Sequence, residues 1–264
     1  FGFSCSKLQQ CMTSNNMSST TGIVLAIFYS TGDLGDIGRH AVAAALELPP
    51  SLVSSIRVFS KHIDSLHQTN WNCACSNHKL SQKDHDRLEL VQLDCSSGED
   101  LIFHLIGVDA VISCLGNREP SNMERLARTG TALQVQAALS HGIRRFVMLS
   151  SAGVAEDWPP LPRSSDGKKL ASLFKSKCLG QYEDLYCAEL AVLQGAAVRP
   201  SLDFLIARAA LAPENAKPTG RWHVQAEKTS GDHPSSRIAK MDCARFLIQE
   251  AIFPTLRQQA VVVG

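Results

Sequence analysis

Ile23-Val24-Leu25-Ala26-Ile27-Phe28-Tyr29 runs into Ser30-Thr31-Gly32-Asp33-Leu34-Gly35-Asp36-Ile37-Gly38-Arg39 and then into Ala41-Val42-Ala43-Ala44-Ala45. The unbroken apolar run suits a strand buried on both faces, because alternation appears only where one face meets water. The alanine run suits a helix. A strand, a glycine-rich turn and a helix in that order make the βα unit that binds a dinucleotide. Glycines let the backbone approach a pyrophosphate, and the helix start turns free N–H groups and its positive dipole end toward it. The stretch predicts a Rossmann fold.

The rest of the chain is compatible with that unit. Its 264 residues suit a single α/β domain over 22–264. Lysine plus arginine number 26 against 25 acidic residues, which leaves no electrostatic footprint for nucleic acid. No apolar run reaches the roughly 18 residues of a membrane span, so the chain is not expected to be transmembrane. Nine scattered cysteines, some in expected core strands, favour reduced thiols and so a reducing compartment such as cytosol, stroma or matrix; a polar start of the kind that transit-peptide processing leaves then favours chloroplast stroma or mitochondrial matrix over cytoplasm. Residues 1–21 are polar with Lys7 their only charge, and read as a flexible tail, either left by processing or trimmed.

Apolar runs recur with helical segments between them, which predicts a doubly wound parallel sheet with strand one at its centre. Strand two is Ser55–Ser60 and ends at Lys61. An acid there would bind the ribose hydroxyls of NAD; a lysine, with Arg57 nearby, points to the extra phosphate of NADP, with NAD the alternative. Strand three, Leu88–Asp94, ends at Asp94-Cys95, where an adenine ring would pack. Strand four with its loop is Val108–Gly116, a helix covers 121–141, and strand five begins at Arg145 and ends in the hydroxyls of Ser150 and Ser151. Ligands of such sheets collect at that carboxyl edge. Two insertions, near 64–87 and 156–181, interrupt the pattern and are the places where a protein partner would dock. The first holds Cys73, Cys75, His78 and His85, but the spacing lacks the wider pairs of a structural zinc site, so no metal is expected.

Taken together, the glycine turn, Val108–Gly116, Gly142–Gly153, Leu202–Arg208, Thr219-Gly220-Arg221-Trp222 and Ile238–Leu247 resemble the atypical short-chain dehydrogenase/reductases, in particular the NmrA-like and biliverdin-IXβ/flavin reductase-like group. The resemblance implies NAD(P)H at Thr31, Gly32, Leu34 and Gly35, with the nicotinamide near the ends of strands four and five. Cys114, Leu115, Gly116 and Arg208 then contribute to the cofactor wall. It also implies a small substrate cap from the C-terminal third. Ser150 falls on the serine beside the nicotinamide, and Ser151 and Tyr182 complete the candidate catalytic set.

The chain departs from that family in three places. With Thr31-Gly32 and Gly35 laid on Gly-Ala-Thr-Gly-x-x-Gly, Tyr29 takes the place of the first glycine; Gly38 offers a shifted triplet, Gly32, Gly35 and Gly38, but inside the helix start it reads more simply as a close-packing position. A turn that still admits pyrophosphate requires the Tyr29 ring to swing away from the helix start, and this open turn is the expectation. Tyr182-Glu183-Asp184-Leu185-Tyr186 has tyrosine where a Tyr-x-x-x-Lys pair has lysine, and Ala209 replaces a proline after Arg208. Two functions follow: an NAD(P)H-dependent reductase of a small planar acceptor such as a flavin, quinone or tetrapyrrole, or a non-catalytic accessory subunit of an organellar complex.

Overall fold

The computed structural model describes residues 22–30, 35–61, 86–95, 98, 100–116, 125–152, 154, 172, 176, 178–210, 216–225 and 237–264. Within them the chain alternates strand and helix in the order β1 (Ile23–Tyr29), α1 (Gly35–Leu46), β2 (Val53–Ser60), β3 (Leu88–Gln92), α2 (Leu101–His104), β4 (Ala110–Cys114), α3 (Leu126–His141), β5 (Arg145–Ser151), α4 (Leu179–Val198), β6 (Asp203–Ala209), β7 (Val224–Gln225), α5 (Lys240–Ile252) and β8 (Gln259–Val263). The sheet order is β3-β2-β1-β4-β5-β6-β8-β7. Every pair is parallel except β7 with β8. The doubly wound sheet and its central first strand are as expected, with a two-residue antiparallel strand added at the edge.

Side chains of β1 alternate between two cores. Leu25, Ile27 and Tyr29 belong to the layer that holds α1 and α5, and Ala26 and Phe28 to the layer that holds α3 and α4. Both faces are therefore covered, which is why the strand is apolar throughout. α3 ends at Gly142, whose φ of +70° forms a left-handed cap. There the N–H groups of Gly142 and Ile143 donate to the carbonyls of Leu139 and Ala138. Of the C-terminal third expected to build a cap, α5 and β8 instead belong to the central body, where β8 slots between β6 and β7. Residues 211–215 and 226–236 lie outside the described residues, as do 1–21 and nearly all of both insertions.

The amino edge of the β5–β6 pair is tied by Arg145, only 5% exposed. Its guanidinium donates to the Glu250 carbonyl at 2.9 Å, to Asp203 Oδ1 at 3.0 Å and to the Leu256 carbonyl at 3.1 Å, and it pairs with Glu250 Oε2 at 3.4 Å. Glu250 also accepts from the N–H groups of Thr255 and Leu256, each at 3.0 Å. One arginine thus ties two strands to the turn between α5 and β8.

The close approach of α1 to the sheet depends on Gly38. A Cβ at that position would lie 2.3 Å from Tyr29 Cβ and 3.3 Å from Cys114 Cβ, so any side chain would push the helix off β1 and β4. Gly38→Ala should cost about 1–3 kcal/mol by overpacking. In denaturant unfolding, adding Tyr29→Gly should recover part of that loss as a favourable coupling energy, because the two residues compete for one space.

Candidate functional site

The sheet order reverses between β1 and β4, and ligands of open α/β sheets bind in the crevice outside the carboxyl ends of the strands at such a switch point. Ser30 closes the bottom of that crevice. Its Oγ donates to the Gly116 carbonyl at 2.5 Å and accepts from the Gly116 N–H at 3.3 Å, and Ser30 is only 9% exposed. The bridge fixes the backbone that follows β4 against the backbone that follows β1. Thr31, Gly32 and Leu34 lie outside the described residues; Gly35 is the first residue of α1.

Gly38 carries a close helix–strand contact, as its reading as a close-packing position predicts. Tyr29 is the last residue of β1, paired in register with Cys114. Its side chain does not swing away from the helix. It is 5% exposed and lies in the same core as Ile37 and Ala41 of α1, in space that Gly38 leaves open.

At the ends of β2 and β3, Lys61 Nζ lies 3.2 Å from Asp94 Oδ2, both about half exposed. Two of the expected cofactor residues therefore form one ion pair. Arg57 is not part of that group. It donates through Nε to Glu89 at 2.9 Å and through Nη1 to the carbonyls of His104 and Ile106, which holds the end of α2. Cys95, Cys114 and Leu115 are buried and Gly116 with them. Gly130 lets α3 press against this group, since a Cβ there would lie 2.4 Å from Leu115 Cδ1 and 3.2 Å from the Cys95 carbonyl.

Ser150 and Arg208 are opposite each other on β5 and β6, and neither has exposed surface. Both reach Glu189 of α4. Ser150 Oγ donates to Glu189 Oε1 at 2.6 Å, Arg208 Nε donates to the same oxygen at 3.1 Å, and Arg208 Nη2 donates to Oε2 at 2.6 Å. The Ser150 hydroxyl is thus committed inward. Ser151, half-buried, follows it at the end of the strand. Tyr182, in the first turn of α4, stacks on Tyr186 with ring centres 6.2 Å apart.

Three buried acids that hold the site's surroundings escaped the sequence reading. Glu189 shares a helix face with Leu185, Ala188 and Val192, all fully buried, and an acid at the i−4, i−1 and i+3 spacing of a core face was the available signal. Asp184 reaches from α4 to the start of α3, where it accepts from the N–H groups of Ala127 at 3.0 Å and Arg128 at 2.8 Å. Burial pushes its carboxyl up, and those two N–H bonds pull it back. Asp242 accepts from Thr219 N–H at 2.7 Å and Gly220 N–H at 2.9 Å, which anchors the Thr219–Trp222 segment to α5. Among the described residues no group of histidines, cysteines and acids could hold a metal ion, and no helix is long and apolar enough to cross a membrane.

Fold and switch point together define a Rossmann-type nucleotide-binding protein. Residues 74–252 match the NAD(P)H-binding family model, more than half of the chain, and the chain belongs to that family. The match begins after β2, beyond the glycine turn. No curated protein sequence matches the chain. Among solved structures, a short-chain dehydrogenase/reductase from Veillonella parvula DSM 2008 in complex with NADP is similar at 13% identity and TM-score 0.62, covering 92% of this chain and 94% of that one. The anaerobillin reductase ChuY of Escherichia coli O157:H7 is similar at 18% identity and TM-score 0.61, covering 91% and 96%. A candidate NADH-flavin reductase from Streptococcus pneumoniae TIGR4 is similar at 17% identity and TM-score 0.60, covering 92% and 99%. These likenesses establish the fold.

Burial disfavours the thiolate at the three cysteines near the crevice. Burial, with Asp94 beside it, pushes Cys95 up to about 12, and burial, with Asp242 beside it, pushes Cys243 up to about 12; burial raises Cys114 as well. Iodoacetamide at about pH 8 should therefore spare all three in the native protein, since only the thiolate reacts. Among the described cysteines, half-buried Cys178 and Cys187 should label first. Peptide mass spectrometry with and without denaturant checks this.

Proposed function

We propose that the chain is an NADPH-dependent reductase of a small planar acceptor of the flavin, quinone or tetrapyrrole type. The observation that carries the proposal is Gly38, whose missing side chain lets α1 rest on β1 and β4 with its amino end beside the switch point. A helix start so placed suits a pyrophosphate, with unpaired N–H groups and the dipole directed at it. The residues present therefore fit a dinucleotide: Gly32 in the sequence of the turn and Gly35 at the start of α1 would admit its phosphates, Ser30 holds the crevice in shape, and Lys61 at the end of β2 would take the 2′-phosphate. Asp94 keeps the Lys61 ammonium in place until the phosphate competes for it. When bound, the cofactor supplies hydride. The protein's share is to orient the two reactants and exclude water, with Ser151 and Tyr182 as the candidate hydroxyls beside the acceptor.

A specific observation favours the alternative, a non-catalytic accessory subunit of an organellar complex: Ser150 is bound to Glu189 and Tyr186 stands where a lysine would lower the tyrosine pKa. In either case the free thiols of the described residues suit a reducing compartment.

Titration of the purified chain with NADPH and NADH tests the proposal. NADPH should bind at least about tenfold tighter, or roughly 1.4 kcal/mol, and Lys61→Met should remove that preference while leaving NADH affinity in place. Binding should be followed by NADPH oxidation on adding FMN, a quinone or biliverdin. Equal affinities would overturn the choice of NADP, and binding without turnover of any acceptor would favour the accessory subunit.

A further inference from the structure

We propose that Glu189 is a positioning residue of the cofactor site, acting through Ser150 and Arg208 to hold the carboxyl ends of β5 and β6 at one spacing; this rests on the reductase reading above. A single carboxylate bridges two neighbouring strands. Oε1 takes the Ser150 hydroxyl and Arg208 Nε, and Oε2 takes Arg208 Nη2. The bridge lies one rung from the end of the pair, since Ser150 faces Arg208 and Ser151 faces Ala209. Just beyond it, the Ala152 N–H donates to the Ala209 carbonyl and the Ala210 N–H to the Val263 carbonyl, each at 2.8 Å. That edge is where ligands of a doubly wound sheet bind.

Burial makes a purely stabilising role a poor account of the group. The side chains of Arg208 and Glu189 are 0% and 2% exposed, and a buried ion pair is commonly no more stable than well-packed apolar residues of similar volume. What the pair supplies and apolar residues do not is direction. A guanidinium fork and a carboxylate meet in one plane with two parallel bonds, and the serine hydroxyl adds a third fixed vector. The structure carries its own comparison at the opposite edge of the same strands, where Arg145 ties β5 and β6 away from the ligand side.

The test compares the wild type with Glu189→Leu/Arg208→Met and with Arg145→Lys. It measures thermal melting, NADPH affinity by fluorescence titration, and amide exchange at Ala152. In the double variant, melting should stay near or above wild type while NADPH affinity falls and Ala152 exchange rises, each by about tenfold or more. Arg145→Lys should melt lower and bind NADPH as the wild type does. Should the double variant not fold, Glu189→Gln, which keeps the shape and drops the charge, should show the same loss of affinity in a folded protein. NADPH affinity within about twofold of wild type in the folded double variant or in Glu189→Gln would overturn the proposal. If the wild type itself does not bind NADPH, the reductase reading fails and the cofactor-positioning role with it. The Ala152 exchange rate then separately reports whether the clamp holds the edge.

Discussion

Helix α1 can lie on the sheet only because Gly38 has no side chain, and the geometry of the ligand edge follows from that contact. With a Cβ at Gly38 meeting Tyr29 at 2.3 Å, the helix would have to lift from β1 and β4, and its first turn would no longer point into the crevice. The contact also explains why a tyrosine is tolerated at the end of β1. Its ring fills the layer between sheet and helix, where Ile37 and Ala41 of α1 surround the same core. A bulky strand residue and an absent helix side chain are two halves of one packing solution.

From that contact the rest of the edge is built by polar groups that have left water. Ser30 joins the ends of β1 and β4 through Gly116, Glu189 joins the ends of β5 and β6, and Asp184 and Asp242 anchor the start of α3 and the Thr219–Gly220 segment. Glu189 and Asp184 occupy donors of Ser150, Arg208 and Ala127, all fully buried, that would otherwise lack acceptors at a cost of about 1–3 kcal/mol apiece. The carboxyl edge is thus held by directional bonds, while the middle of the sheet is held by apolar burial. A surface that must present a fixed shape to a ligand gains from bonds with one preferred geometry.

The fold was legible in the sequence wherever burial alone decides residue type. Strands covered on both faces must be apolar along their whole length, so Ile23–Tyr29, Ala110–Cys114 and the run from Arg145 could be read from a single chain. Lys61 and Asp94 were likewise legible as strand-end residues, because strand ends are set by the same runs. β8 was not: the five residues Gln259–Val263 carry no signal for the strands they join, and their insertion between β6 and β7 is a matter of long-range pairing.

The candidate site divides along the same line. By itself the sequence determined the βα unit, the glycine-rich turn and the hydroxyls and lysine at strand ends, since these depend on local backbone conformation and on strand length. Only the tertiary structure decided the face taken by Tyr29, the separation of Arg57 from Lys61, and the capture of Ser150 by Glu189. The physical reason is range. Propensity and burial act on a residue and its near neighbours, whereas a carboxylate that meets a serine 39 positions earlier and an arginine 19 positions later is selected by the packing of a helix across two strands.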